Sequence, residues 1–184
     1  MRCLRIVQYA IAALAVSAFV VGVGNAQAEP YPAANKITLI VAFAPGGFAD
    51  TMARLVAQGL TDRLHQTVVV ENRSGAGGNI AAEIVAHAAP DGYTLLATTT
   101  ALAINETLFA NKQFAASDFK TVAIPTSSPE ALVTGPTNPS NNLADLVKAM
   151  KGKTANLAVP GVGTGSDIEA EYFFKFLAKI PAQI

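Results

Sequence analysis

Apolar strand-like runs alternate with amphipathic helical runs, and a glycine turn opens three of the four helices. Residues 37–43 (ITLIVAF) are β-branched and apolar at nearly every position, the pattern of a strand buried on both faces. Pro45, Gly46 and Gly47 then form a turn. The next helix has Asp50 as its expected N-cap and Met52, Leu55, Val56, Leu60 and Leu64 along one stripe. Residues 67–71 read as a second strand, followed by a glycine turn at 75–78. Asn79 is the expected cap of a second helix carrying Ile80, Ile84, Val85 and Ala88. Pro90, Asp91 and Gly92 make a tight turn into a third strand, 93–98. Strand–helix–strand–helix–strand is the signature of a parallel α/β sheet.

Beyond residue 100 the pattern loosens. Residues 121–124 and 131–134 are expected as short strands, and 143–150 as a helix. A strand at 156–159 leads into a third glycine-rich turn, 161–166. Residues 168–180 then read as a helix with Ile168, Tyr172, Phe173, Phe176 and Leu177 along one face. The sequence ends four residues later, so 128–184 is expected to be only the beginning of a second domain.

Residues 1–28 read as a secretory leader. Arg2 and Arg5 precede an apolar run from 6 to 23, and the small-x-small site Ala26, Gln27, Ala28 follows. Cleavage is expected after Ala28. An uncleaved anchor is the competing reading, but about 18 residues is the short limit for a span. The only cysteine, Cys3, lies within the leader, so the mature chain is expected to have no disulfide, thiol nucleophile or thiolate metal site. Residues 29–184 carry 11 basic and 13 acidic side chains. That balance argues against nucleic acid as a partner.

The turns at 45–47 and 161–166 each expose helix-opening amides, and the helix dipole adds partial positive charge there. Such turns suit an anion without any Arg or Lys. Equally, the glycines make tight strand-to-helix connections and nothing more. Dinucleotide and P-loop fingerprints fail, because Ile80 and Ser166 stand where a third glycine belongs and no Lys-Ser/Thr follows. Ser74 lacks the first glycine of a nucleophile elbow. His65 and His87 fall at helix ends, where capping or solvated roles are usual, and they make no metal cluster. Arg73, next to Glu71 and Asn72, suits either a ligand carboxylate or the role of surface ion pair or loop anchor. Phe43 reads as core, and Phe48 as a pocket wall or a helix staple. No catalytic residue, cofactor or metal is expected.

Four motifs in order resemble the substrate-binding proteins of tripartite tricarboxylate transporters, the Bug receptors. Phe43, Pro45, Gly46, Gly47 and Asp50 match F-x-P-G-G-x-x-D. Residues 68–73 (VVVENR) with 75–79 (GAGGN) match a second run. Residues 88–96 (AAPDGYTLL) match a third, and Ala103, Ile104, Asn105, Asp118 and Phe119 fall in family order. The resemblance implies a periplasmic, Venus-flytrap α/β fold, with 29–127 as the first, parallel-sheet lobe and 128–184 as the start of the second. It implies a small carboxylate held between lobes by backbone amides and ordered water. Phe43, Pro45, Gly46, Gly47, Phe48, Asp50, Thr98, Thr99 and Thr100 would contribute from one lobe. Gly161, Gly163, Thr164, Gly165, Ser166 and Asp167 would contribute from the other. A monomeric receptor delivering its ligand to a membrane permease is the implied function.

The chain departs from the family in two ways. Members are longer, with most of the second lobe still to come after the point where this sequence stops. Asp167 stands where many members have His. A carboxylate about 4 Å from a ligand carboxylate would cost about 4 kcal/mol at an effective dielectric of 20. One charge-assisted hydrogen bond contributes about 1.5–3 kcal/mol. Asp167 therefore either caps its helix or pairs with the ammonium of an amino-acid-like ligand. Micromolar affinity needs about −8.2 kcal/mol, and half a clasp is expected to bind weakly or not at all. An interacting or nonfunctional fragment, and an exported hydrolase using Ser74 or Ser166, are the competing readings.

Overall fold

The computed structural model describes residues 31–184. The leader, its cleavage site and Cys3 lie outside the described residues. Strand β1 (Ile37–Val41) is the middle strand of a parallel sheet, flanked by β2 (Val68–Asn72) and β3 (Thr94–Ala97) in the order β2-β1-β3. Leu39 pairs with Val70 on one side and Leu95 on the other. The chain leaves β1 through α1 (Phe48–Leu64) to reach β2. It returns through a 3-10 turn (Ala76–Gly78) and α2 (Asn79–Ala86) to β3 on the opposite flank. The expected α/β architecture with a parallel sheet is what the structure has.

Alternation along β1 explains why both of its faces are dry. Leu39 and Val41 pack with Ala53 and Ala57 of α1. Ile40 and Ala42 point the other way and pack with Ala81 of α2. A strand covered on both faces must be apolar almost throughout, and 37–43 is.

The helix stripes read from sequence are corrected here. The expected stripe of α1 includes Leu55, yet Leu55 is 63% exposed and the buried residues are Asp50, Ala53 and Ala57. In α2, Ile80 and Ile84 are exposed while Ala81 and Ala82 are buried. Small residues let each helix backbone approach the sheet, and the larger apolar side chains sit on the flanks. A rule that ranks positions by side-chain size picks the flank.

Helix α3 (Ala101–Leu108), not anticipated from sequence, follows β3 directly. A 3-10 turn (Ala116–Asp118) follows it, with Phe114 and Phe119 edge to face at 5.8 Å. The strands expected at 121–124 and 131–134 do not form: this stretch has no sheet partner among the described residues, and Val122 is 86% exposed. Its composition suits a strand, but a strand needs a neighbour to complete its hydrogen bonds.

Helix α4 (Leu143–Met150) forms where expected, with the Asn142 side chain accepting from the Asp145 amide at 2.9 Å. The strand expected over 156–159 is shorter and earlier, β4 (Ala155–Asn156). Helix α5 (Gly165–Glu171) continues into a π-helical turn (Tyr172–Leu177). The last residues are a strand, β5 (Ala182–Gln183), parallel to β4, and not the bare helix end read from sequence. Ala155, Phe174 and Ile180 make a second small core with Val147, Met150 and Leu157 around them.

The alanine contacts of α1 give a direct test. Ala53→Leu would overpack the helix–sheet contact and destabilise by about 1–3 kcal/mol in urea unfolding. Leu55→Ala would change stability by about 0.5 kcal/mol or less. The reverse ranking would restore the stripe expected from sequence.

Candidate functional site

The chain moves to one side of β1 to make β2 and to the other side to make β3. The carboxyl ends of β1 and β3 therefore flank a topological switch point, where open α/β sheets hold ligands. The first glycine turn and the Thr98–Thr100 segment lie at those two strand ends.

The first turn is held by one carboxylate. Gly46 is in the left-handed region, at φ +82°. Gly47 is the N-cap of α1, so Asp50 sits at the third helical position and not at the cap expected from sequence. From there Asp50 reaches back: its Oδ2 accepts the Gly46 amide at 2.8 Å and Arg54 Nε at 3.0 Å. Its Oδ1 accepts Asn72 Nδ2 at 2.9 Å and lies 2.9 Å from Arg54 Nη2. Asn72 Nδ2 also donates to the Phe43 carbonyl at 3.0 Å, which ties the end of β2 to the end of β1. Asp50 is only 3% exposed. The Arg54 hydrogen bond, then the Gly46 amide, then Asn72, lower its pKa from 3.8 to about 2, against the opposing effect of burial. The same pairing raises the pKa of Arg54. Both Asp50 oxygens are engaged inside the turn, so Asp50 shapes the turn.

The glycine-rich turn before α5 repeats this device. Gly163 also has φ +82°, and its amide donates to Asp167 Oδ2 at 2.8 Å. Thr164 is the N-cap, and its Oγ1 accepts the Asp167 amide at 3.3 Å and donates to the Gly161 carbonyl at 2.7 Å. Asp167 is 5% exposed, and like Asp50 it sits at the third helical position and holds the turn by accepting the Gly163 amide. Unlike Asp50, it has no ion-pair partner among the described residues.

The other expected residues divide by environment. Pro45, Gly46, Gly47 and Phe48 are exposed, while Phe43 is half-buried and packs on the Ile40–Ala42–Ala81 cluster. Thr98 is half-buried; Thr99 and Thr100 are exposed, and Thr99 Oγ1 accepts the Ala101 amide at 3.3 Å. A Cβ on Gly165 would stand 3.2 Å from Thr100 Oγ1, so the second turn meets the end of β3. Ser166 Oγ donates to Glu130 Oε2 at 2.9 Å. Arg73 takes the ion-pair role, 3.1 Å from Glu71. His65 ends α1 as its C-cap, and His87 Nδ1 lies 2.8 Å from the Glu83 carbonyl. Asn79 is the first residue of α2, after Gly78, and its Oδ1 accepts from Asn105 at 2.8 Å.

Sequence reasoning passed over Arg54, and it met Asn72 and Asn105 only as motif positions with no role assigned. Arg54 carried a signal, the i,i+4 spacing from Asp50. Asn72 and Asn105 act between segments far apart in sequence, which spacing does not reveal.

The depressed pKa sets the pH behaviour of the first turn. The stability from Asp50 is complete above 3.8 and is lost as pH falls towards about 2. Asp50→Asn is expected to lower stability at neutral pH and to flatten the wild-type decline across that window. Chemical denaturation at stepped pH measures both, and parallel wild-type and variant curves would refute the assignment.

A family model for tripartite tricarboxylate transporter receptors matches residues 52–178. The protein BugT of Bordetella pertussis is 38% identical over 152 residues, which are 79% of this chain and 46% of BugT. MatC from Rhodopseudomonas palustris, solved with bound malate, superposes with a TM-score of 0.67 at 32% identity, over 81% of this chain and 52% of MatC. An R. palustris protein with adipate superposes with a TM-score of 0.65 at 26% identity, over 83% and 52%. The chain thus spans about half the length of these relatives. The chain belongs to the tripartite tricarboxylate transporter receptor family, the Bug receptors.

Proposed function

We propose that this chain carries the ligand-gripping half of an extracytoplasmic solute receptor that binds a small carboxylate. The observation that carries the proposal is the repeated bracket: a glycine at φ +82° whose amide donates to an aspartate four residues on, at Gly46–Asp50 and again at Gly163–Asp167. Each bracket consumes the amide before the helix and fixes the angle at which the helix begins. The opening amides that follow have no intrahelical acceptor and remain for an anion. At the first turn these are Gly47, Phe48 and Ala49.

Charge supports the same reading. Arg54 neutralises Asp50 within the first turn, so a carboxylate arriving above it meets the helix dipole without an uncompensated negative neighbour. The malate and adipate held by relatives have carboxylates of the required kind. In this account 29–127 forms the first lobe and 128–184 begins the second. The leader directs the chain to the periplasm, with cleavage after Ala28. The receptor acts as a monomer without cofactor or turnover, and a membrane permease receives the ligand. Thr98, Thr99 and Thr100 face the ligand from the segment after β3, and Gly161, Gly165 and Ser166 from the turn that opens α5.

One substitution isolates the amide chemistry. Phe48 is the first helical residue, where proline is tolerated, and Gly47 before it is extended at φ −78° and ψ 176°, as a residue preceding proline must be. Phe48→Pro deletes one amide hydrogen while keeping the helix; Phe48→Ala removes only the ring. In calorimetric titration with malate or adipate, wild type and Phe48→Ala should bind in the millimolar range expected of half a clasp. Phe48→Pro should weaken binding by about tenfold, the loss of one charge-assisted bond. Equal binding by all three proteins would overturn the amide site, and loss in Phe48→Ala alone would transfer recognition to the ring.

A further inference from the structure

Asn105 lies in the middle of α3 and is 1% exposed. Its Nδ2 donates to the Gly77 carbonyl at 2.9 Å and to Asn79 Oδ1 at 2.8 Å. Its Oδ1 is buried with no hydrogen-bond partner. Buried carbonyl oxygens are nearly always paired, so this one is an exception that a role should explain.

The surroundings of that oxygen supply the role. A Cβ on Gly163 would stand 2.6 Å from Asn105 Oδ1 and 3.0 Å from Phe109 Cε2. A Cβ on Gly77 would stand 2.4 Å from the Val162 carbonyl oxygen and 3.3 Å from Asn105 Nδ2. The Gly75–Gly78 turn and the turn at 161–166 therefore meet backbone to backbone, with the Asn105 amide between them. Neither Gly77 nor Gly163 can carry a side chain while the turns touch. Both have positive φ as well, +63° and +82°.

We infer that Asn105 is a coupling residue that sets how readily the second glycine turn docks on the first sheet. Its amide nitrogen fixes the Gly77 side of the contact in any state. Its oxygen is dry only while Gly163 lies against it, and water reaches that oxygen once the turns part. Docking therefore carries a desolvation cost that undocking relieves. A ligand held by both turns would supply the differential affinity needed to favour the docked state. This goes beyond the receptor reading, because it concerns a residue outside the ligand-contact set and holds for the chain without ligand.

Amide hydrogen exchange on the ligand-free chain tests it. Gly77→Ala forces a methyl against the Val162 carbonyl. Asn105→Asp keeps the side-chain size but removes both donated bonds. Gly152→Ala is the matched control: Gly152 has φ +76°, with nothing within 4 Å of the place its methyl would take, so it imposes similar backbone strain and no clash. Gly77→Ala and Asn105→Asp should speed exchange in the 161–167 peptide by about tenfold, with β1 and β2 peptides unchanged. Gly152→Ala should leave 161–167 as in wild type. If Asn105→Asp also loosens β1 and β2, Gly77→Ala decides. Exchange at 161–167 that is the same in Gly77→Ala as in the control would overturn the inference. Because no ligand is present, that result is separable from any failure of carboxylate binding.

Discussion

One hydrogen bond, made twice, organises the two glycine turns of this protein. The first follows β1, a parallel strand buried on both faces, where the chain must turn sharply to start the helix that covers it. A glycine in the left-handed region permits the turn, and an aspartate at the third helical position holds it by accepting the glycine amide. The bond fixes the helix start relative to the strand end. It also settles which amides are used and which stay open. Everything proposed about anion binding follows from that division.

The two brackets are alike in geometry and unlike in charge. Asp50 is gripped by Arg54 and Asn72 as well as by Gly46, which keeps it ionised far into acid. Asp167 has Gly163 and its own helix start. The first turn is therefore rigid and close to neutral, and the second keeps a buried carboxylate beside its open amides.

The sheet was legible because its pattern is redundant. Three apolar runs, each followed or preceded by a glycine turn, leave a parallel α/β arrangement as the economical solution, and β1, β2 and β3 lie within a residue or two of the runs read from sequence. The packed helix faces were not legible, because Ala53, Ala57, Ala81 and Ala82 bury through closeness of approach and carry little hydrophobic signal of their own. Residues 121–124 and 131–134 have strand composition without a strand's neighbour. At the site, the glycines announced both turns, while spacing cannot tell the cap from the third helical position, where Asp50 lies. Asn72 and Asn105 were invisible in those roles, since an asparagine that bridges distant backbone looks in sequence like any other.

The most direct test of the central claim is to watch the backbone amides themselves. Nitrogen-15 NMR of the labelled chain, titrated with malate, should move the Gly47, Phe48 and Gly165 amide resonances together and saturably, with Gly46 and Gly163 moving less because their hydrogens already point to Asp50 and Asp167. Saturable shifts confined to surface lysines and arginines, with the helix-opening amides unmoved, would contradict the account.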